Sequence, residues 1–244
     1  MPVKSYQARI LVDGFDFSTT SNTLKIDTDA QSLEYNTFQE PAALSIPGVP
    51  KGSIEHGGYY NGAAAGTLEA ELYTRLGTSA VVMVAVILDT AGAVPVAYVI
   101  PSTYNQQLTI NAPVKELLTV MGKWPTANGR MYRGYQVARA TVSATGAVTG
   151  IDFGAGGIAG GKAWLFVQTI TGTATDAAIK VQSDSASDFS GAADEGTFTF
   201  SAVGAYEVTL AGAIGRYVRI NCTSLGGATS FLVVAVVAVA GVNY

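Results

Sequence analysis

The chain has 244 residues, of which 48% are hydrophobic and only 13% are charged, about half the ~25% charged share of an average soluble domain. Fourteen basic against 18 acidic residues give a formal net charge of −4, which excludes a basic surface wrapped around nucleic acid. A single His and a single Cys exclude a His/Cys metal cluster and a disulfide within the chain. We therefore expect no catalytic residue, no cofactor and no metal site.

The N-terminal part alternates strand patterns with turn residues. Residues 6–12 alternate largely between apolar and polar side chains and end at Asp13-Gly14, which predicts a strand followed by a turn. Residues 24–28 and 33–38 predict two further strands. Residues 39–58 hold three prolines and four glycines, which predicts an irregular functional loop, longer than the usual connection of about five residues.

One helix is predicted, over residues 63–76. Leu68, Leu72 and Leu76 recur at a spacing of four, which places them on one helical face. Glu69 and Glu71 do not share that stripe. We interpret them as a solvated face, because a spacing of two would not aim both carboxylates at one sugar bond.

Strands are predicted over the rest of the chain, where Val-rich and aromatic segments alternate with Gly, Asn, Ser and Pro. They cover residues 80–88, 94–101, 104–110, 114–124, 135–143, 163–167, 177–183, 196–200, 205–211, 216–223 and 230–239. Asn128-Gly129 is a hairpin signal. The longest apolar runs are shorter than the ~20 residues of a membrane-spanning helix, so we expect neither membrane insertion nor a targeting segment.

A glycine-rich passage divides the chain. The predicted fold is all-β, with an N-terminal β-sandwich or barrel carrying one short helix and a C-terminal β-sandwich. We place an N-terminal domain at 1–145, a Gly-rich linker at 146–161 and a second domain at 162–244. Gly154, Gly156 and Ala159 match the dinucleotide fingerprint G-x-G-x-x-G/A formally. We interpret them as linker or turn, because a strand-like segment follows where the fingerprint needs a helix.

Two polar features have competing interpretations. Asp184, Asp188, Asp194 and Glu195 could ligate calcium, but their spacing is not that of an EF-hand, and we favour a solvated hairpin loop. His56 has no second His with which to share a metal, and we interpret it as an ordinary surface or interface residue.

Aromatic residues of the second domain also allow two interpretations. Trp164, Phe166, Tyr217 and Phe231 lie in apolar strands, which favours a place in the sandwich core. A sugar-binding platform built on Trp164 and Tyr217 is the alternative.

The order of pieces in the N-terminal part resembles the tail tube proteins of long-tailed bacteriophages, particularly a group common among phages of actinobacteria and their relatives. An opening strand with ILVDGFDFS is followed by NTLKIDTDAQSLEYNTFQE, the Pro/Gly passage ALSIPGVPKGSIEHGGYYNG and the segment AAAGTLEAEL. The last hundred residues resemble a β-sandwich appended to many phage virion proteins. The segments that carry this second resemblance are WLFVQTITG, AAIKVQSDSASDFSG and GAIGRYVRINCTSLGGATSFLVVAVVAV.

The resemblance implies a structural protein of the virion tail, not an enzyme. Such subunits form stacked, usually hexameric rings around a channel for DNA, and neighbouring subunits pair through their strand edges. The implied partners are further copies of the chain, other phage tail proteins and DNA in transient, non-specific passage, which a net negative charge favours. The C-terminal sandwich would decorate the outside, and the protein would be made in the host bacterial cytoplasm.

By the same resemblance, residues 39–58 are the candidate contact between subunits or rings. The interface candidates are Pro41, Pro47, Pro50, His56, Tyr59 and Tyr60, with the two tyrosines as aromatic anchors. Two alternatives stay open: a capsid decoration or head fibre protein, and a carbohydrate-binding component of a receptor-binding tail structure.

Overall fold

The computed structural model describes residues 7–35, 44–78, 82–127, 129–154, 156 and 160–239, and for 30–35 and 44–50 it describes the backbone. Strands dominate, which confirms the predicted all-β class, and one short helix is present. No helix in this described part is long and apolar enough to cross a bilayer.

The elements of the described residues follow the chain in this order. They are β1 (Arg9–Val12), β2 (Phe15–Asp16), β3 (Ser21–Tyr35), β4 (Leu44–Tyr59), α1 (Leu68–Thr74), β5 (Val82–Leu88), β6 (Val96–Thr103), β7 (Gln107–Asn111), β8 (Thr119–Pro125), β9 (Tyr132–Val142), β10 (Gly146–Ala147), β11 (Ile151–Asp152), β12 (Gly161–Gly172), β13 (Ala177–Asp184), β14 (Ala193–Phe200), β15 (Gly204–Leu210), β16 (Tyr217–Ser224) and β17 (Ala228–Val239).

These strands form three sheets. The largest has eight strands in the order β15-β12-β17-β9-β6-β5-β1-β2. A five-stranded sheet has the order β10-β16-β13-β14, with β11 also paired to β16. The third sheet has four strands in the order β3-β4-β8-β7, and each of its neighbouring pairs is antiparallel.

The chain divides into two compact units that interleave along the sequence. Unit 1 comprises 1–19, 85–99 and 132–244, and unit 2 comprises 20–84 and 100–131. Unit 2 lies within the predicted N-terminal domain, whereas unit 1 contains residues from both predicted domains. Strand β9, which precedes the predicted boundary near residue 145, pairs with β17 near the end of the described chain. The roles assigned to the two predicted domains stay a prediction.

Unit 1 has a continuous apolar core between two layers of strands. Alternate residues of β17, Val233, Ala235 and Val237, point into it, as do Ile179 of β13 and Ile220 of β16. The period of two follows from the strand, whose successive side chains project to opposite faces. Residues 146–161, predicted to be a linker, contribute β10 and β11 to one layer by pairing with β16.

The irregular loop predicted at 39–58 is wrong from residue 44 onward. There β4 begins, and it pairs with β3 along its length. Residues 24–28 and 33–35 of the two strands predicted at 24–28 and 33–38 belong to one strand, β3, and residues 36–38 lie outside the described residues. Pro47 and Pro50 belong to β4, but only Ser53–Tyr59 of that strand pair with β8. The two prolines therefore lie where β4 has β3 as its paired neighbour, an edge position that tolerates a missing N–H group.

Two further predictions change in detail. The helix is confirmed but begins later and ends earlier than predicted, at Leu68 and Thr74. The hairpin predicted at Asn128-Gly129 is wrong, because β8 before it and β9 after it belong to different sheets. The turn signal is local, whereas strand pairing depends on which sheet each strand completes.

Candidate functional site: an assembly surface

The four-stranded sheet of unit 2 has two chemically different faces. Paired residues of an antiparallel sheet project to the same side, so the register assigns each side chain to a face. On the face that we call the covered face, Ile54, His56, Val120 and Trp124 are fully buried. Opposite lies the polar face, whose exposed or half-exposed side chains include Thr23, Lys25, Asp27, Asp29, Lys51, Glu55, Thr109 and Lys123, together with the apolar Met121 and with Tyr59 at its end.

Helix α1 packs on the covered face. Leu68 and Leu72 are buried, and a Cβ added at Gly122 of β8 would lie 2.2 Å from Leu72 Cδ2. Glycine at 122 thus makes room for the helix. The buried Asn105 fixes the contact, since its Nδ2 donates to the Leu72 carbonyl at 2.8 Å and its Oδ1 accepts the Lys123 N–H at 3.1 Å.

His56 lies inside unit 2, so its predicted surface position is wrong. The ring is fully buried, and Trp124 Nε1–H donates to its Nδ1 at 3.3 Å. Burial lowers the pKa of His56 from 6.5 to about 4, because the charged form would lose its hydration. The alternation of β4 decides this position: residues 54, 56 and 58 are buried, whereas 53 and 55 are half-exposed.

The polar face carries lysines and carboxylates in alternation. One row across the sheet runs from Lys25 through Glu55 and Lys123 to Gln107. Lys25 Nζ lies 2.6 Å from Asp27 Oδ2, and Lys123 Nζ lies 2.8 Å from Glu55 Oε1. The hydrogen bond that Lys25 donates to Asp27, with the charges of Asp27 and Glu55, raises the pKa of Lys25.

Within the described residues, this sheet ends at β3 on one side and at β7 on the other. Since all three junctions are antiparallel, β3 and β7 run in opposite directions. Ile110 of β7 pairs with the buried Val120, which assigns it to the covered face, yet 50% of Ile110 is exposed. The covered face therefore continues to its edge without complete cover.

Large apolar side chains are exposed mainly in unit 2. Of the nine such side chains in the described part of the chain, eight belong to unit 2 and Val203 belongs to unit 1. The eight are Tyr59, Tyr60, Tyr73, Leu76, Ile110, Val114, Leu117 and Met121. Where exposed apolar residues are contiguous, they are typical of a protein interaction site.

Some of these residues meet at one end of the four-stranded sheet. Tyr59 pairs with Thr119 in the register, and the Tyr60 N–H donates to the Leu118 carbonyl at 2.9 Å. The loop before β8 exposes 87% of Val114 and 65% of Leu117. The two tyrosines predicted as anchors are thus exposed and lie beside an apolar loop.

The other predicted interface residues have different positions. Pro41 lies outside the described residues, while Pro47 and Pro50 lie in the part of β4 that pairs with β3. Sequence reasoning missed Val114 and Leu117 because it assigned residues 114–124 to a strand. Pro113 and the charged pair Lys115-Glu116 are the signal for a loop at this point, and Lys115 has a φ of 68°.

The predicted glycan platform is not formed in unit 1. Trp164 is fully buried, and its Nε1–H donates to Glu207 Oε2 at 2.8 Å. Its neighbours Ala163 and Leu165 point into the unit 1 core, so Trp164 projects away from that core on the eight-stranded side. Tyr217 belongs to β16, whose next residue Val218 points into the core from the other layer. The two aromatic rings are therefore on opposite outer sides.

The acidic loop of unit 1 uses its carboxylates within the fold. Asp184 accepts the N–H groups of Ala186 at 3.0 Å and Gly191 at 2.8 Å, and these bonds lower its pKa, the Ala186 bond most. Ser183 Oγ–H donates to Glu195 at 2.6 Å. In the described ranges, no group of three or more His, Cys, Asp or Glu residues could hold a metal ion.

The structure also decides the interpretation of the Gly-rich fingerprint and of Glu71. The glycine passage at 154–161 leads into β12, a strand rather than a helix, and the Gly154 N–H donates to Asp152 Oδ1 at 2.7 Å. Glu71 is buried and pairs with Arg75, so its predicted place on a solvated face is wrong. Its second oxygen accepts the Gly66 N–H at 3.0 Å, where the chain enters the helix.

Among known proteins, this chain is similar to several solved structures at low sequence identity. No family model matches the chain, and no curated protein matches it. The tube-terminating cap of the anti-feeding prophage is 14% identical, with a TM-score of 0.42 over 55% of this chain and 91% of the other. A chain of the native gene transfer agent virion is 11% identical, with a TM-score of 0.40 over 55% and 98%. The SPP1 Dit protein, described as a hub adsorption apparatus, is 11% identical, with a TM-score of 0.36 over 93% and 98%.

Proposed function

We propose that this protein is a structural subunit of a phage tail, which assembles into stacked, hexameric rings that form the tube for DNA. The observation that carries the proposal is the concentration of exposed apolar side chains in unit 2, with eight of nine there. Burying one Val, Leu or Ile side chain contributes about 1.5–3 kcal/mol. A repeated contact between copies would bury several of them in every subunit.

The edges of the four-stranded sheet support a ring. Because β3 and β7 run in opposite directions, a copy related by rotation presents its β3 antiparallel to β7 of the first. Edge pairing of this kind satisfies main-chain groups that an isolated subunit leaves to water. It would also continue the covered face past Ile110, so that apolar surface meets apolar surface.

The hairpin of β3 and β4 supports contact along the tube. The part of β4 before Ser53 is not paired with β8. There, residues Ala30–Tyr35 of β3 pair with Leu44–Pro50 of β4 as a two-stranded extension. In the family that the sequence resembles, such a hairpin reaches the next ring. We assign the same role to this extension, with Tyr59 and Tyr60 as anchors at the opposite end of the sheet.

The covered face is occupied by α1, which leaves the polar face to line a channel. The predicted C-terminal sandwich would then decorate the tube. This arrangement assigns assembly to unit 2 and no chemistry to either unit. It also gives a polar direction to the stack, since the two ends of the sheet differ.

The test is the assembly state of an Ile110→Lys variant, with Val203→Lys as the matched control. Ile110 is 50% exposed in unit 2 and Val203 is 45% exposed in unit 1. Electron microscopy and sedimentation of the purified full chain should show sixfold rings or tubes for the parent and for Val203→Lys. Ile110→Lys should remain unassembled with an unchanged circular dichroism spectrum, because a lysine cannot be buried at the edge contact.

Outcomes that contradict the proposal are equally concrete. Normal tubes from Ile110→Lys would exclude the edge contact. Trimers or shell-bound monomers of the parent protein would favour the capsid decoration alternative instead.

A further inference from the structure

The polar face of unit 2 holds more than scattered charge, and its pattern suggests a purpose that rests on the proposed function. Three lysines and three carboxylates lie there: Lys25, Lys51, Lys123, Asp27, Asp29 and Glu55. Among the side chains that the structure describes, these charges sum to zero over β3, β4 and β8. The balance holds for the face as a whole and not for each row, since the row through Glu55 has two lysines and the next row has Asp27 opposite Ser53.

The register places opposite charges next to each other. Lys25 pairs across the sheet with Glu55, Glu55 pairs with Lys123, and Asp29 pairs with Lys51. Two contacts are direct, at 2.6 Å between Lys25 and Asp27 and at 2.8 Å between Lys123 and Glu55. The Lys25 and Lys123 ammonium groups therefore each have a carboxylate from this same face.

We propose that this face is a charge-neutralised track for duplex DNA, on which carboxylates hold the lysines away from passing phosphates. A protein gains affinity for DNA when its lysines bind phosphates and the counterions condensed on the DNA are released. Here a lysine would first have to leave its carboxylate. The carboxylate would then remain beside the phosphate, where like charges repel.

A face with balanced charges would act on DNA differently from a purely basic or a purely acidic face. A face of free lysines repeated around a ring would bind DNA through many phosphates at once and stop its movement. A purely acidic face would also prevent binding, but by repelling the phosphates rather than by keeping lysines paired. The fields of neighbouring opposite charges cancel at distances longer than the spacing between them, and salt screens the remainder beyond the Debye length, which is about 8 Å at physiological salt.

The inference is tested with a double variant, Asp27→Asn with Glu55→Gln, which keeps side-chain shape and releases Lys25 and Lys123. Asp194→Asn is the matched control, because Asp194 Oδ2 holds Lys180 Nζ at 2.5 Å in unit 1, outside the polar face. The probe is a short duplex DNA of mixed sequence, followed by fluorescence anisotropy at low and at physiological salt. Sedimentation of each protein gives its assembly state in the same buffers.

We expect the double variant to bind the duplex at least about tenfold more tightly than the parent, with affinity that falls steeply as salt rises. Asp194→Asn should change the affinity by less than about threefold, because it frees one lysine away from the track. Adding Lys25→Gln and Lys123→Gln to the double variant should restore the weak binding of the parent.

The inference is wrong if the double variant binds no more tightly than the parent while it assembles equally, or if Asp194→Asn gains as much affinity. Failure of the proposed function has a separate signature. It would be seen as a parent protein that never forms rings or tubes, whatever its affinity for DNA. In that case the difference in affinity between the unassembled variants still decides whether the carboxylates shield the lysines.

Discussion

The two compact units differ in how they use their apolar side chains. Unit 1 encloses a core of closely packed valines, isoleucines and aromatic residues, and Val203 is its one large apolar residue that is exposed among those described. Unit 2 covers one face of its sheet with a seven-residue helix and leaves eight large apolar side chains exposed. The described apolar side chains of the first unit are nearly all buried, whereas several of those in the second unit are exposed.

This contrast separates the buried residues that stabilise one subunit from the exposed residues that are available for contacts in the proposed assembly. A closed core contributes most of its free energy within one subunit, so its disruption lowers the free energy of unfolding directly. Apolar side chains left on the surface contribute only when a second molecule covers them. The molecule also offers one tryptophan in each unit, Trp164 in unit 1 and Trp124 in unit 2, so that each can be followed by fluorescence.

The largest expected effect is in the closed core of unit 1. Phe231 is 1% exposed and meets the Phe200 ring edge-on, with centroids 5.1 Å apart. Phe231→Ala should lower the free energy of unfolding by about 3–5 kcal/mol, because it removes buried surface and leaves a cavity. Urea unfolding, followed by Trp164 in a Trp124→Phe background, measures it.

The control for this change is Val203→Ala, which should stay within about 0.5 kcal/mol because its side chain is half exposed. A loss below about 1 kcal/mol for Phe231→Ala would mean that the unit 1 core relaxes around the cavity, which would weaken the contrast between the units.

The next effect is a pH dependence confined to unit 2. The pKa of His56 is about 4 in the folded protein and 6.5 as the ordinary value, so the unfolded chain binds more protons between these limits. The stabilising contribution of His56 is therefore complete above about pH 6.5, falls as the pH drops and levels off below about pH 4, with a total loss of at most about 3.4 kcal/mol for a pKa difference of about 2.5. Urea unfolding across this range, followed by Trp124 in a Trp164→Phe background, measures the loss.

His56→Phe supplies the comparison, since phenylalanine keeps an aromatic ring at this position but does not titrate. Its unfolding free energy should be nearly independent of pH over the same range once carboxylate effects common to both proteins are subtracted. An equally steep dependence in His56→Phe would exclude His56 as the cause.

The smallest effect concerns the helix of unit 2. Glu71 pairs with Arg75 and accepts the Gly66 N–H at 3.0 Å, and its side chain is only 11% exposed. Glu71→Gln should cost about 1–2 kcal/mol, because a charge-assisted bond becomes a neutral one. Glu69→Gln, on the same helix and half-exposed, should be close to neutral in the same unfolding measurement, and equal losses would contradict the assigned role of Glu71.

Most strands and the helix could be predicted from the chain because their signals are local. Alternation in residues 177–183 and 216–223 predicted strands that the structure places at Ala177–Asp184 and Tyr217–Ser224. The spacing of Leu68 and Leu72 predicted the face of α1 that is buried. Periodicity alone is sufficient for such elements, because side-chain direction repeats with the backbone.

The candidate site was only partly predictable. Tyr59 and Tyr60 were named from the sequence, but His56 was assigned to the surface and Val114 and Leu117 to a strand. Prolines and glycines made residues 39–58 look irregular, although pairing with β3 holds residues from 44 onward in a strand. Local composition does not predict the hydrogen bonds that a strand elsewhere in the sequence supplies.

The sequence by itself determined the class of the protein: all-β, poor in charge and with one short helix. Those properties follow from composition and from short-range periodicity. Only the tertiary structure decided which strands share a sheet, how β9 and β17 meet across the predicted boundary, and which lysines face which carboxylates. The reason is physical, because register and burial depend on contacts between residues far apart in the chain, and no local pattern encodes them.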